Sequence, residues 1–270
     1  YDWTYPDSLA ADAARDGYDL LFALNGCAAW ACGGVTQTPP VGAALTKYRA
    51  FVAAAVARYA PTSSFWAGVP GVPPTPQVSW QVWNEVNGGT DWPNPTPAAY
   101  ATFLAQLSQT IKGADPSATV VLSGLDEFPG ESTGMPLKEF LTGLYQQPGF
   151  KDSFDVAAVH AYAADPAGAA HVLDVARRVM FEQGDQTRPL WVTEMSWSTG
   201  GPPHPFTVTE DLQNQYLAQS WDKMLACRDR WNLKHVLWFA LQDVDPLSVG
   251  LPDYWGVHNG LLRQDGSAKP

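Results

Sequence analysis

Short, nearly continuous apolar runs alternate along the chain with longer segments whose apolar residues recur every three or four positions. The runs read as buried strands: YDLLFAL (18–24), QVSWQVW (77–83), ATVVLSG (118–124), SFDVAAVHAY (153–162), RPLWVTEMSW (188–197) and LKHVLWFALQD (233–243). The periodic segments read as helices over 46–60, 97–114, 135–147, 166–183 and 208–231, with a further helix, DSLAADAARDG (7–17), ahead of the first strand. Strand and helix in strict alternation imply parallel βαβ units. Runs such as VVLS, DVAAV and VLWFAL are too continuous for a sheet with one wet face, which also fits a parallel sheet covered on both sides. Residues 61–76, PTSSFWAGVPGVPPTP, are rich in Pro and Gly and read as a long loop. No inner linker, low-complexity tract or repeat other than βα itself divides residues 1–270, so a single domain is expected.

Six strands are visible, where a closed barrel of this type needs eight. The chain opens on a loop and helix of the kind that follows a strand, and it ends at GSAKP without a final helix.

Composition narrows the partners. The 270 residues carry a net charge of −11 and a sequence pI of about 4.7. No Lys/Arg cluster stands out, so nucleic acid and anionic membrane are poor partners, and a neutral ligand fits better than a polyanion. No apolar run reaches the ~18 residues of a membrane span. Twelve Trp is a high count. Trp stacks on sugar rings, but it also fills cores, so position must decide. Cys27 and Cys32 share one loop, CAAWAC, and both a local disulfide and two free thiols are open readings. Cys227 falls in a helical stretch and reads as a small buried hydrophobe. No His or further Cys completes a zinc set, and His171, His204, His235 and His258 show no metal-ligand spacing, so no metal is expected.

The chemistry gathers where polar residues interrupt the strand pattern. WQVW runs into Asn84 and Glu85, then Gly88 and Gly89, and PLWVT ends at Glu194. Catalytic groups of βα barrels sit at the C-terminal ends of strands. The two acids lie three βα steps apart, which in a closed barrel places them on facing sides of the mouth. Retaining glycosidases need two carboxyls about 5–5.5 Å apart, one as acid/base and one as nucleophile. The acid must hold its proton near neutral pH, and the nucleophile must stay ionised and hydrogen-bonded.

On these residues the chain resembles the clan A retaining glycoside hydrolases, and most of all family 39, its β-xylosidase-like members and their endoglycosidase relatives. WNEVN (83–87) resembles the WNEPN acid/base motif, WVTEMSWST (191–199) the nucleophile strand, and AVHAYA (158–163) the strand between them. FWAG, WFALQD (238–243) and WGVHNGLLRQDGSAKP (255–270) resemble further segments, so the likeness runs over nearly the whole chain. An isolated NE dipeptide is a weak signal; NE, HxY and TE in this order on successive strands is a strong one.

The resemblance implies an α/β TIM (β/α)8 barrel whose first two strands and last helix are missing from these residues, leaving two strand edges to be closed by a longer parent chain or another segment. It implies Glu85 as general acid/base and Glu194 as nucleophile. Asn84 would bond the sugar 2-hydroxyl, Tyr162 would orient Glu194, and His160 would line the subsite floor. Trp238 would be the stacking platform and Trp30 would border the glycone pocket. Val86 stands where the family motif has Pro, and its presence is expected to loosen the turn. An Arg near the nucleophile, carried in the family by a strand absent here, has no counterpart.

Each assignment has a plainer rival. Glu85 and Glu194 could be solvated strand ends, His160 a satisfied core histidine and Tyr162 a packing residue. Trp83 is expected in the core. Trp30, Trp66, Trp92 and Trp197 could touch sugar or anchor loops. Asp126, Glu127, Glu131, Asp243 and Asp245 could rim a cleft or be ordinary surface charge. The expected function is hydrolysis of O-glycosidic bonds in a neutral oligo- or polysaccharide, with no cofactor, in an extracellular or periplasmic setting. The rival reading is a catalytically inactive or incomplete carbohydrate-binding barrel. Sugar, linkage, exo or endo action and oligomeric state are not specified by these residues.

Overall fold

A computed structural model describes residues 1–32, 34, 37–69, 76–127 and 134–270. It forms two compact units, each with its own parallel sheet.

The first unit, centred on Tyr1–Ser123 with Gly143–Val156, runs α1 (Thr4–Arg15), β1 (Leu20–Leu24), α2 (Gly42–Tyr59), the short α3 (Ser64–Ala67), β2 (Val78–Val82), α4 (Pro97–Ala114) and β3 (Thr119–Val121). Its sheet has the order β1-β2-β3. β2 lies in the middle and is buried at every residue, so that Ser79 and Gln81, which alternate with its Val and Trp, are buried as well. α4 starts where the sequence says it must: Thr96 caps the Ala99 N–H at 3.2 Å and Pro97 takes the first turn. Phe22 and Trp80 stack at 5.2 Å on neighbouring strands, and Tyr59 of α2 packs on Phe22 at the same distance. α3 lies in the segment expected to be loop; Trp66, at its third position, is buried and donates its indole N–H to the carbonyls of Tyr59 and Ala60.

α1 is tied to α2 by one carboxylate. Asp7 receives Nε of Arg58 at 2.7 Å and the Tyr59 hydroxyl at 2.9 Å, while Nη2 of Arg58 holds its other oxygen. The Arg58 hydrogen bond holds the Asp7 carboxyl below the usual carboxylate range, against the opposing effect of burial. A depressed acid stabilises the fold above its unfolded pKa and loses that contribution as pH falls through the folded value. Asp7→Asn is therefore expected to cost about 1–2 kcal/mol at pH 7. Urea melts should show the gap to wild type closing as pH drops below the ordinary aspartate value of about 3.9.

The second unit, centred on Ala157–Pro270, holds β4 (Leu125–Asp126), β5 (Ala157–His160), α6 (Pro166–Glu182), β6 (Leu190–Glu194), α7 (Glu210–Trp231) and β7 (Leu233–Val236), with sheet order β4-β5-β6-β7. α5 (Leu137–Tyr145) precedes β5 in the chain. Asp165 caps α6 through the Gly168 N–H at 2.8 Å, and Thr209 caps α7 through Leu212. Acids fill the first turn of α7 and Arg228 and Arg230 its last, matching the helix dipole. Cys227 of α7 is free and half-exposed, not buried as its helical setting suggested.

Every expected strand and helix is present, with two differences. The run at 118–124 divides: β3 stops at Val121, where the chain bonds to Val156, and β4 begins at Leu125 and pairs with β5. The last strand stops at Val236, after which Leu237 and Phe239 donate singly to the carbonyls of Val192 and Met195. Among the described residues both sheets are open.

Candidate active site

Glu85 sits just past β2 in a turn that few sequences would choose. Trp83 has φ 69° and Glu85 φ 39°, both in the left-handed region that β-branched and bulky residues avoid. Such residues cost about 1–3 kcal/mol each and persist only where the surroundings over-determine them. Here they do. Trp83 is fully buried; its backbone N–H bonds to the Leu24 carbonyl, and its indole N–H donates to the Asp91 carbonyl at 2.6 Å. Asn84 donates to the Asp91 carboxylate at 2.8 Å. Gln81 donates to the Trp83 carbonyl at 3.2 Å and approaches Asn84 Oδ1 at 3.4 Å. Asp91 thus closes the loop on both residues that flank the turn, and Asn84 keeps a second amide hydrogen for another acceptor.

The expectation that Val86 loosens this turn is corrected. Val86 is fully buried, and its N–H donates to Ser123 Oγ at 3.3 Å, a bond that a proline cannot make. The acid-bearing loop is held from below through the one group the motif's Pro would remove.

Glu194 ends β6 in the second unit. The β5–β6 pairing shifts by one between Val159 and His160, so that His160 faces Glu194 instead of Thr193. His160 is fully buried, with Nε2 3.6 Å from Glu194 Oε1. Tyr162 donates its hydroxyl to Glu194 Oε2 at 2.8 Å. Ala161 N–H bonds the Glu194 carbonyl at 2.8 Å, locking backbone and side chain together. Gly124, just before β4, makes room for the imidazole: a Cβ there would lie 2.0 Å from His160 Nε2. Gly124→Ala must displace the buried ring and is expected to cost about 1–3 kcal/mol, read as a lowered Tm.

Of the other sequence candidates, Trp238 is half-buried and donates its indole N–H to the Asn259 carbonyl at 2.9 Å. Trp30 is 74% exposed, with the Lys47 ammonium 4.9 Å from its ring centroid. Cys27 and Cys32 are joined in a disulfide that brackets Trp30. Trp30 also lines an apolar hollow of about 830 Å³ with Trp3, Phe22, Phe51 and Trp80; among the described residues no carboxylate lines it. Trp92 and Trp197 are buried in loops, and Trp66 is buried in α3. Asp243 is a structural acid: it pairs with Lys269 at 2.8 Å and accepts from the Gly260 N–H at 2.7 Å. Asp245 caps a short 3₁₀ turn through the Leu247 N–H. Glu127 is half-buried, and burial pushes its carboxyl up against the opposing charge of His171. Glu131 lies outside the described residues.

Sequence reasoning missed an aromatic wall beside Tyr162. Phe206 stacks on the Tyr162 ring at 5.9 Å, Trp255 meets its edge at 5.2 Å, and His204 stacks on Trp255 at 5.1 Å. Burial pushes the His204 imidazole pKa down. Burial raises the Tyr254 phenol, and the negative charge of Glu194 adds to that rise. HPF at 204–206 follows the strand carrying Glu194, and that cluster after a strand end was the available signal.

The fold is shared with known glycosidases. The chain is similar over 99% of its length to a glucosidase from Croceicoccus marinus (TM-score 0.69, 17% identity). It is similar over its whole length to a monomeric β-xylosidase from Caulobacter crescentus (0.67, 19%). A family 39 glycoside hydrolase from the gut symbiont Bacteroides cellulosilyticus matches over 99% of the chain (0.69, 21%). The chain covers 51%, 55% and 51% of those proteins, about half their length. At these identities the likeness establishes an α/β fold with parallel strands held in common with family 39-like structures. No protein-family model and no curated protein matches the sequence.

Proposed function

We propose that this chain is the catalytic part of a retaining glycoside hydrolase of the family 39 type, with a (β/α)8-type fold. Glu194 attacks the anomeric carbon and the glycosidic C–O bond breaks, while Glu85 donates its proton to the leaving oxygen. Glu85 then takes a proton from water, which attacks the anomeric carbon and frees Glu194. Asn84 bonds the sugar 2-hydroxyl with its second amide hydrogen, Trp238 is the platform on which a sugar ring stacks, Trp30 borders the glycone pocket, and His160 floors the subsite. The reaction draws on no cofactor.

The observation that carries this reading is the setting of Glu194. A carboxylate at the end of a buried parallel strand is gripped by a phenol at 2.8 Å and lies 3.6 Å from a fully buried imidazole, and that phenol is itself packed against Phe206 and Trp255. Hydrogen bonds to a carboxylate favour its ionised form, which is what a nucleophile needs. The strained turn at Glu85 supports the second role, since strain of this kind concentrates at functional sites. A net charge of −11 favours a neutral saccharide. The Cys27–Cys32 disulfide favours an extracellular or periplasmic compartment; among the described residues no helix is long and apolar enough to cross a membrane.

The test is a panel of fluorogenic aryl xylosides, glucosides and arabinosides in both anomeric forms. Turnover of one or more, with the anomeric configuration of the first product retained by NMR, supports the assignment. Sugar binding by calorimetry without turnover on any of them would favour the rival, an inactive or incomplete binding barrel. That rival draws on the chain's covering only about half of the glycosidases it matches.

A further inference from the structure

We propose that Trp255 is a positioning residue for Glu194, acting through the phenol of Tyr162; the proposal rests on the reading of Glu194 as nucleophile. Tyr162 is the group that fixes one carboxylate oxygen, so anything that sets its ring sets the direction of attack. The ring is held from two sides. Phe206 lies nearly parallel to it, at 18° and 5.9 Å. Trp255 meets it nearly perpendicular, at 77° and 5.2 Å. A flat neighbour alone lets a phenol slide in its own plane, and the perpendicular Trp255 blocks that slide.

Trp255 is itself clamped. His204 stacks on it at 14° and 5.1 Å, and Phe206 meets it edge-on at 5.3 Å. It opens a 3₁₀ turn, Trp255–His258, whose last carbonyl accepts the Thr199 N–H at 3.0 Å. Thr199 Oγ1 in turn receives the buried Lys269 ammonium at 2.7 Å, which also pairs with Asp243. The turn is packed so closely that a Cβ on Gly256 would lie 2.4 Å from the Tyr254 ring. A buried ion pair and a stacked imidazole thus hold one indole against one phenol. Misplacing a reacting group by about 1 Å costs on the order of 10²-fold in rate. The packing of Trp255 therefore reaches the chemistry without touching substrate.

The test uses the full chain with [13Cζ]tyrosine. The Tyr162 signal is assigned by its loss in Tyr162→Phe, and Glu194→Ala gives its position without the carboxylate. Trp255→Ala is expected to move the Tyr162 signal toward that position, and Trp255→Phe to leave it near wild type. On the best aryl glycoside, Trp255→Ala should lower kcat about tenfold or more with KM changed less than about threefold, and Trp255→Phe should recover most of the loss. Trp255→Leu, which keeps bulk but not the flat edge, carries the same test where the Ala variant fails to fold by circular dichroism. An unmoved Tyr162 signal in the folded variant overturns the proposal. So does a raised KM at constant kcat, which would make Trp255 a substrate contact. If wild type turns over no glycoside, the catalytic reading fails by itself, and the NMR arm still decides whether Trp255 sets Tyr162.

Discussion

Glu194→Gln is expected to lower kcat/KM on the best aryl glycoside by at least about 10³-fold, the scale on which enzymes lose a covalent nucleophile. The amide is close in size to the carboxylate, and its oxygen can still accept from Tyr162, so the register at the end of β6 has no reason to change. What disappears is the negative charge that the proposed attack requires. Circular dichroism and a Tm within a few degrees of wild type should accompany the loss. Tyr162→Phe removes one hydrogen bond and keeps the charge, so its penalty should be much smaller.

Glu85→Gln is expected to discriminate between substrates. A general acid contributes about 10²–10⁴-fold, and most where the leaving group needs a proton. The variant should lose about that much on an alkyl glycoside or disaccharide. On a dinitrophenyl glycoside, whose leaving group departs unaided, glycosylation should survive and the second step, which needs Glu85 as base, should become limiting. Stopped-flow traces should then show a burst followed by slow turnover. A uniform loss on both substrate types would contradict the acid/base role. Because Glu85 sits at φ 39° with its loop closed by Asp91, the Gln variant should keep the turn and its stability.

Much of this was legible from pattern alone. Burial on both faces makes β5 an apolar run up to His160, and βα alternation requires parallel pairing. Strand ends then locate Glu85 and Glu194, and the HxY spacing after β5 locates His160 and Tyr162. What escaped was set by packing across distant segments. At the break over 122–124, Gly124 leaves the space that the His160 ring occupies, a contact no local pattern shows. The Val86 N–H bond depends on Ser123, thirty-seven residues away. The wall of His204, Phe206 and Trp255 comes from two irregular segments with no periodicity to read. Asp243, at the end of the run 233–243 as Glu194 is at the end of its own, is a structural acid because a Lys near residue 270 reaches it. A similar position in the pattern met different partners, a lysine for Asp243 and a phenol for Glu194.

In the proposed reaction Glu194 forms the covalent bond to the sugar. Incubating the protein with a 2-deoxy-2-fluoro aryl glycoside of the series it hydrolyses should trap that intermediate. Peptide mass spectrometry should find one glycosyl adduct, on the peptide carrying Glu194, absent in Glu194→Gln. Turnover of the parent glycoside with the adduct on another carboxylate, or with inversion at the anomeric carbon, would contradict the account.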